Sequence, residues 1–295
     1  MRPQIFLRIS LAAVAIIFAT TPQSQPKPSN KPLIGSWKLT KYIPYSDGSK
    51  EWKEYGDSII YQKHLTDHHF VWYKYDEKNH KLLGMGGGSY EVKNGKYIED
   101  IKFFYPPGSS ELGQAIPFDF DLPKNEWHHT GYAKVMDIDD NTGKIVVVDS
   151  NKIEEKWVRT DKTPAKNLMV QGAWDLISYR DKKDGHYIEY PEYAGYIKLI
   201  TPTHFTWVYY NKNDDVIYAA GSGKYSYKNG KYSETIDMIY PEDNGQLGAT
   251  IVFDADIQNN KWKHLGEIPL YVEDSGGNKS QQLSLIDEIW KARQD

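Results

Sequence analysis

Apolar and polar residues alternate with a period of two along most of the chain. In the second half the alternating runs are five to ten residues long, among them HFTWVYY (204–210), KYSETIDMIY (231–240) and GATIVFDAD (248–256). A period of two places successive side chains on opposite faces of a β-strand. Short links rich in Asn, Gly, Pro and Asp separate the runs, as in antiparallel hairpins. The pattern predicts an all-β meander of eight to ten strands that closes into a barrel and so leaves no open edge.

The pattern occurs twice. GGGSYEVKNGKYIEDI (86–101) and GSGKYSYKNGKYSETI (221–236) coincide at ten of sixteen positions, 135 residues apart. The Asn-Gly pair within each segment predicts a two-residue hairpin turn. A period this long exceeds the 20–50 residues of a solenoid repeat and matches a whole domain. The sequence therefore predicts a tandem duplication that gives two antiparallel up-and-down barrels.

The amino-terminal segment belongs to neither copy. Arg2 and Arg8 precede the apolar run ISLAAVAIIFA (9–19), which is too short to span a bilayer and is typical of a secretory signal peptide. We expect an exported protein (periplasmic, cell-surface or extracellular) without a membrane span after signal removal; an uncleaved anchor is the alternative. The predicted order is a signal peptide at 1–21, a Pro-rich tether at 22–32, a barrel at 33–160, a linker at 161–168 and a second barrel at 169–293.

The amino-acid composition limits the kinds of site and partner that this chain can have. The chain has no Cys, which excludes disulfides and thiolate metal sites. Its net charge of −4 argues against nucleic acid as a partner. The 23 Tyr and 9 Trp suit β-sheets and the recognition of flat or partly apolar molecules.

Comparison of the two copies predicts which strand faces point inward. The more apolar face after each Asn-Gly turn carries Tyr97, Glu99, Ile101, Phe103 and Tyr105, and in the second copy Tyr232, Glu234, Ile236, Met238 and Tyr240. Phe70 and Trp72 are expected inside as well, with Val71, Tyr73 and Tyr75 as the rival face.

Each copy thus carries a glutamate into an aromatic interior, which is costly unless the carboxylate has a partner. One interpretation is that it orients the polar end of a ligand; the other is an internal hydrogen-bonded network or a Glu at the rim. The expected ligand-binding residues are Phe70, Trp72, Tyr90, Tyr97, Glu99, Trp127 and His129, and in the second copy Phe205, Trp207, Tyr225, Tyr232, Glu234, Trp262 and His264.

A Gly-x-Trp on the first strand, a meander and a basic residue after the last strand resemble the lipocalin (calycin) superfamily. The segment KLITPTHFTWVYYNKNDDVIYAAGSGKYSYKNGKYSETI (198–236) is similar to lipocalin-like domains of exported bacterial proteins. The resemblance implies a cup that binds a small molecule, with the Trp closing one end under an Arg. The matching residues are Gly35, Trp37 and Arg159, and Gly172, Trp174 and Arg293, the last of them one position out of step.

We expect neither a metal nor another cofactor. His64 and His68 of the cluster that includes His69 are replaced by Leu199 and Thr203 in the second copy, although a site confined to the first copy stays open. The prediction is a non-catalytic protein that holds a small hydrophobic or amphipathic molecule in one or both barrels. The alternatives are a module that binds a protein or glycan through Tyr- and Trp-rich loops and, favoured less, an enzyme that uses a Glu/His pair.

Overall fold

The computed structural model describes residues 32–139, 142–161, 169–242, 245–273 and 277–293. The predicted signal peptide, all but the last residue of the tether and residues 162–168 of the linker lie outside these ranges. Among the described residues, no helix has the length and apolar character needed to cross a bilayer.

A short 3-10 helix covers Tyr45–Asp47. The strands are β1 (Gly35–Tyr42), β2 (Ile59–Leu65), β3 (His69–Asp76), β4 (Lys81–Lys93), β5 (Lys96–Tyr105), β6 (Ala115–Asp121), β7 (Glu126–Ile138), β8 (Ile145–Arg159), β9 (Gly172–Arg180), β10 (Tyr187–Glu189), β11 (Ala194–Ile200), β12 (His204–Asn211), β13 (Ile217–Lys228), β14 (Lys231–Tyr240), β15 (Thr250–Gln258), β16 (Lys261–Glu273) and β17 (Lys279–Ala292).

Two eight-stranded antiparallel barrels form, as predicted. In the first barrel, β1 to β8 pair in chain order and β8 pairs back with β1. In the second barrel the ring runs β9, β11 to β17 and closes between β17 and β9, while β10 adds a short strand beside β9. The Asn-Gly turns are confirmed, because Asn94 and Asn229 have φ of 52° and 53° and each is followed by a glycine with positive φ.

A β-bulge in β5 changes which face points inward. Lys102 is an extra residue, because Ile101 pairs with Gly88 while Phe103 pairs with Gly87. A Cβ at position 88 would clash with a backbone carbonyl oxygen of β5, so this close approach requires glycine.

The bulge makes the prediction for the end of this strand wrong. Phe103 and Tyr105 pack outside the first barrel, and Phe104 takes the inward position. The same bulge recurs in β14, opposite Gly223, where Met238 and Tyr240 lie outside and Ile239 lies inside. An inserted residue in a strand exchanges the two faces for every residue after it.

The outer faces of the two barrels share a hydrophobic core. The ring centroids of Phe103 and Tyr210, one from each barrel, are 4.8 Å apart. Strand β3 is therefore buried on both faces: Phe70 and Trp72 point into its own barrel, while the rival face packs against the other barrel. The shared core, here called the inter-barrel core, consists of Val71, Tyr73, Tyr75, Leu82, Met85 and Phe103 with Ala173, Ile197, Leu199, Val208, Tyr210, Ile217, Ala220 and Met238.

Buried polar groups also connect the barrels. The hydroxyl of Ser36 lies 2.8 Å from Nδ1 of His64 and 2.7 Å from the hydroxyl of Thr201, which reaches the carbonyl of His204 at 3.1 Å. The carbonyl can only accept, so Thr201 donates to it, and Ser36 in turn must donate to Thr201. The hydroxyl proton of Ser36 is then used, so Nδ1–H of His64 donates to Ser36. Asp161, predicted to begin the linker, accepts bonds from the backbone N–H of Ser36 and the hydroxyl of Thr203.

Burial makes His64 a source of pH-dependent stability. Burial lowers the pKa of His64 to about 3, and the neighbouring His204 acts in the same direction. In the unfolded chain the pKa is about 6.5. As the pH falls below that value, His64 takes up a proton in the unfolded chain but stays neutral in the folded chain. The contribution of His64 to the free energy of unfolding is therefore fully present above pH 6.5. It declines by about 1.4 kcal/mol per pH unit as the pH falls towards 3.

We predict that His64→Leu, the residue of the second copy, flattens the pH dependence of the unfolding free energy. Between pH 6 and 4 the slope should fall by about 1.4 kcal/mol per unit, whatever the variant loses in absolute stability through its missing hydrogen bond. Urea unfolding across this range measures it, with His68→Leu, an exposed neighbour, as the control. Parallel curves for the His64 variant and the native chain would show that His64 is not the titrating group.

Candidate functional site

The tryptophan of the first strand is buried in each barrel and hydrogen-bonds to the segment that precedes that strand. The indole N–H of Trp37 donates to the carbonyl of Leu33 at 2.8 Å, and that of Trp174 donates to the carbonyl of Val170 at 2.8 Å. In the first barrel, the guanidinium carbon of Arg159 lies 4.2 Å from the centroid of the Trp37 ring. Arg159 also donates to the carbonyl of Ile34 at 2.7 Å, so it fixes the entry of the chain into the barrel.

Arg293 does not repeat this arrangement, and the prediction that it closes the second barrel is wrong. Ala292, not Arg293, pairs with Trp174 across the β9–β17 ladder. The offset of one residue turns the arginine to the opposite face of the sheet. Its guanidinium instead lies 3.3 Å from the carboxylate of Asp175, beside the inter-barrel core.

The glutamate predicted to face the interior has a lysine partner. In the first barrel Nζ of Lys63 lies 2.6 Å from Oε1 of Glu99, and the hydroxyl of Tyr97 donates to the same oxygen at 2.7 Å. The ammonium also faces the rings of Trp127 and Trp157, with centroids at 5.2 and 5.0 Å. Opposite charge, a hydrogen bond and aromatic faces together offset the loss of water around the two charges.

The second barrel repeats the pair. Nζ of Lys198 lies 2.8 Å from Oε1 of Glu234 and 4.9 Å from the centroid of Trp290. A lysine in an apolar strand does not by itself predict a buried ion pair. Lys63 and Lys198 stand 135 residues apart, however, and this shared offset is the sequence signal that marks them as a repeated feature.

A second polar pair lies beside the first. Nε2 of His129 is 2.7 Å from Oε2 of Glu155, and the indole of Trp157 donates to the same oxygen at 3.1 Å. Burial lowers the pKa of His129, so the neutral ring donates its Nε2–H. Burial alone would disfavour the carboxylate form of Glu155, but the hydrogen bonds from His129 and Trp157 and the charge of Lys63 hold its pKa below the usual value.

The two barrels differ at this pair. In the second barrel Nδ1 of His264 is 3.3 Å from Oε2 of Glu288, a longer contact than in the first. Burial raises the pKa of Glu288, although Lys198 and the indole of Trp290 act against the rise. The surroundings therefore favour the ionised form of this carboxyl group in the first barrel and act in the opposite direction in the second.

The first barrel contains a cavity of 150 Å³. Three predicted binding residues line it, namely Trp72, Glu99 and His129. The remaining wall consists of Tyr61, Lys63, Phe104, Glu111, Ile116, Phe118, Ile153 and Glu155. Phe70, Tyr90, Tyr97 and Trp127, also predicted to bind ligand, are buried in the hydrophobic core of this barrel.

The second barrel opens into a larger cavity of 390 Å³, here called the tyrosine cup. Its aromatic wall is formed by Tyr179, Tyr190, Tyr193, Tyr196 and Tyr209. Leu176, Pro191, Leu285 and Ile286 add apolar surface, and Arg180, Lys182, Asp287 and Glu288 supply the polar groups. The residues predicted to bind ligand here lie deeper: Phe205, Trp207, Tyr225, Tyr232 and Trp262 belong to the core or pack against it, and Glu234 and His264 are buried.

The histidines of the first copy do not converge on one point. His64 is bonded at the inter-barrel contact, His69 is buried at the start of β3, and His68 is exposed. Within the described ranges, no set of three or more His, Asp or Glu side chains is placed to hold a metal ion.

Comparison with known proteins adds little to this geometry. No protein-family model matches the chain, and no curated protein matches it. Among solved structures, the chain is similar to a protein of unknown function of the DUF3598 family from Nostoc punctiforme. The identity is 8% over 89% of this chain and 97% of that one, with a TM-score of 0.20. A likeness this weak carries no argument about function, so the tandem barrels rest on the fold itself.

Proposed function

We propose that this protein is an exported, non-catalytic binding protein with lipocalin-like barrels, and that its tyrosine cup holds a small amphipathic molecule. The observation that supports this proposal best is the cup itself, a cavity of 390 Å³ in the second barrel. Sites for small molecules are concave, measure about 300–1,000 Å³ and are mostly apolar with a few placed polar groups.

The wall of the cup is suited to the apolar part of such a ligand. The rings of Tyr196 and Tyr209 are stacked with centroids 5.6 Å apart, and Tyr190 meets both of them edge to face at 5.9 Å. Ring contacts of this kind hold the side chains in place, so little side-chain entropy is lost when a ligand covers them. Leu285, 49% exposed, continues the apolar surface to the rim.

The polar groups of the cup are suited to the other end of the ligand. Nε of Arg180 lies 3.0 Å from Oδ2 of Asp287, whose Oδ1 accepts a hydrogen bond from Tyr187 at 2.5 Å. Glu288 is the next residue of the same strand and also lines the cup, and burial raises its pKa. An amphipathic ligand thus meets aromatic faces and a small number of polar groups in the wall of the cup.

A fluorescence titration with 1-anilinonaphthalene-8-sulfonate tests the proposal. We expect the native chain to bind this probe, and both Tyr209→Ala, which removes a wall ring, and Leu285→Trp, which fills the rim, to weaken binding at least tenfold, or about 1.4 kcal/mol. Tyr132→Ala is the matched control, because Tyr132 is 57% exposed on the first barrel, away from the cup. Equal affinities in all four chains would contradict binding in the cup.

A further inference from the structure

The smaller cavity of the first barrel differs from the tyrosine cup in charge. Three carboxyl groups, those of Glu99, Glu111 and Glu155, share its wall with one ammonium group, that of Lys63. His129 is the remaining basic side chain of the wall, and burial favours its neutral form. The cavity therefore carries more negative than positive charge.

The unused hydrogen-bonding capacity of these side chains is largely that of acceptors. Glu99 uses Oε1 for both Lys63 and Tyr97, and Glu155 uses Oε2 for both His129 and Trp157. The second oxygen of each carboxylate receives no hydrogen bond from the described part of the chain. Nδ1 of His129 is buried and also lacks a partner there. A neutral ring that donates through Nε2 has a lone pair at Nδ1, which is a further acceptor.

Glu111 completes the set. It lies in the loop between β5 and β6, half-buried, and its carboxylate forms no hydrogen bond or ion pair with any residue that the structure describes. The aligned residue of the second copy is Gln246, since ELG (111–113) corresponds to QLG (246–248). The additional negative charge is thus a property of the first barrel alone.

The aromatic side chains of the wall also suit a cation. Tyr61, Trp72 and Phe104 are all partly exposed at the cavity, and their rings contact one another in sequence: 5.5 Å separates the centroids of Tyr61 and Trp72, and 5.3 Å those of Trp72 and Phe104. Aromatic faces attract ammonium groups, and the attraction is largest where water is excluded.

From this geometry we infer that the first barrel binds a small primary ammonium compound, with the ammonium group held by Glu111, Glu99, Glu155 and Nδ1 of His129. A primary ammonium has three donors and no acceptor, which matches the acceptors left unused. The volume of 150 Å³ admits a short alkyl chain beside the aromatic wall. The inference extends the proposed function to a second ligand class and rests on the general proposal that the barrels bind small molecules.

Proton linkage gives the site a recognisable pH dependence. Burial, with the charges of Glu99 and Glu155, raises the pKa of Glu111 to about 7, while Lys63 acts in the opposite direction. Burial lowers the pKa of His129 and so favours its uncharged form. A cation binds the ionised form of Glu111, so the apparent affinity should rise about tenfold between pH 6 and pH 8.

Isothermal titration of the full chain with n-butylammonium, and with 1-butanol as its neutral counterpart, tests the inference. We expect one n-butylammonium per chain, bound at least tenfold more tightly than 1-butanol at pH 8. Glu111→Gln should remove most of this preference and its pH dependence. Asp119→Asn, which removes one exposed carboxylate from the outer face of the same barrel, should change neither.

The possible outcomes separate this inference from the proposed function. Equal binding of the two probes, or a preference for n-butylammonium that survives Glu111→Gln, would overturn the ammonium site. The fluorescent probe would still report on the tyrosine cup in that case, because Glu111 lies in the other barrel. If the native chain bound n-butylammonium as expected but did not bind the fluorescent probe, the proposed function of the cup would be overturned instead.

Discussion

Lys63→Met is expected to lower the free energy of unfolding by about 3–5 kcal/mol, because it leaves Glu99 charged and unpaired inside the barrel. The side chains of the pair are only 4% and 5% exposed, so bulk water does little to replace the missing ammonium. Urea unfolding of the full chain measures the loss. Lys198→Met, which breaks the equivalent pair in the second barrel, should cost a similar amount.

The double variant Lys63→Met/Glu99→Leu separates a charge effect from a packing effect. Replacing both members of a buried ion pair with apolar residues of similar size is often neutral or stabilising. We therefore expect the double variant to recover most of the stability lost by Lys63→Met. If the double variant were as unstable as the single one, the lysine would act mainly through its packing against Trp127 and Trp157, and the account of the ion pair would be wrong.

Leu199→Asp is expected to divide the thermal unfolding of the chain into two transitions. Leu199 is fully buried in the inter-barrel core but points away from the interior of its own barrel. A carboxylate there is desolvated only while the barrels are in contact, so the contact is weakened by several kcal/mol and each barrel keeps its own core. Differential scanning calorimetry should show one transition for the native chain and two for the variant.

The matched control places the same charge on an open surface. Val252 lies on β15 of the same barrel and is 53% exposed, so Val252→Asp should retain the single transition of the native chain. A single transition for Leu199→Asp, at the melting temperature of the native chain, would mean that the inter-barrel core contributes little to cohesion.

The sequence predicts the architecture well because the duplication supplies a second copy for comparison. Alternation of period two gives the strands, and the Asn-Gly pairs locate the same hairpin in each barrel. The inward face is correct up to Ile101 and fails beyond it. The failure has one cause, the bulge opposite Gly88, which no apolar pattern reveals because both faces of β5 are apolar after that point.

The candidate sites are predicted less completely, for two physical reasons. A strand pattern shows that Glu99 points inward, but its partner Lys63 lies on another strand, and pairing across strands depends on register. The tyrosine cup depends on residues such as Tyr190 and Tyr193, which lie in or beside the links around β10 rather than in the segments that the two copies share. Loops vary between copies of a domain more than strands do, and binding surfaces concentrate there.

Occupancy of the tyrosine cup is tested most directly by native mass spectrometry of the chain purified from its native host, beside Leu285→Trp expressed in the same host. We predict a reproducible added mass on the native chain that disappears on denaturation and is reduced or absent in the variant with the filled rim. A native chain that carries no added mass, or an added mass equally abundant on the variant, would contradict the proposal that this cup holds a small molecule.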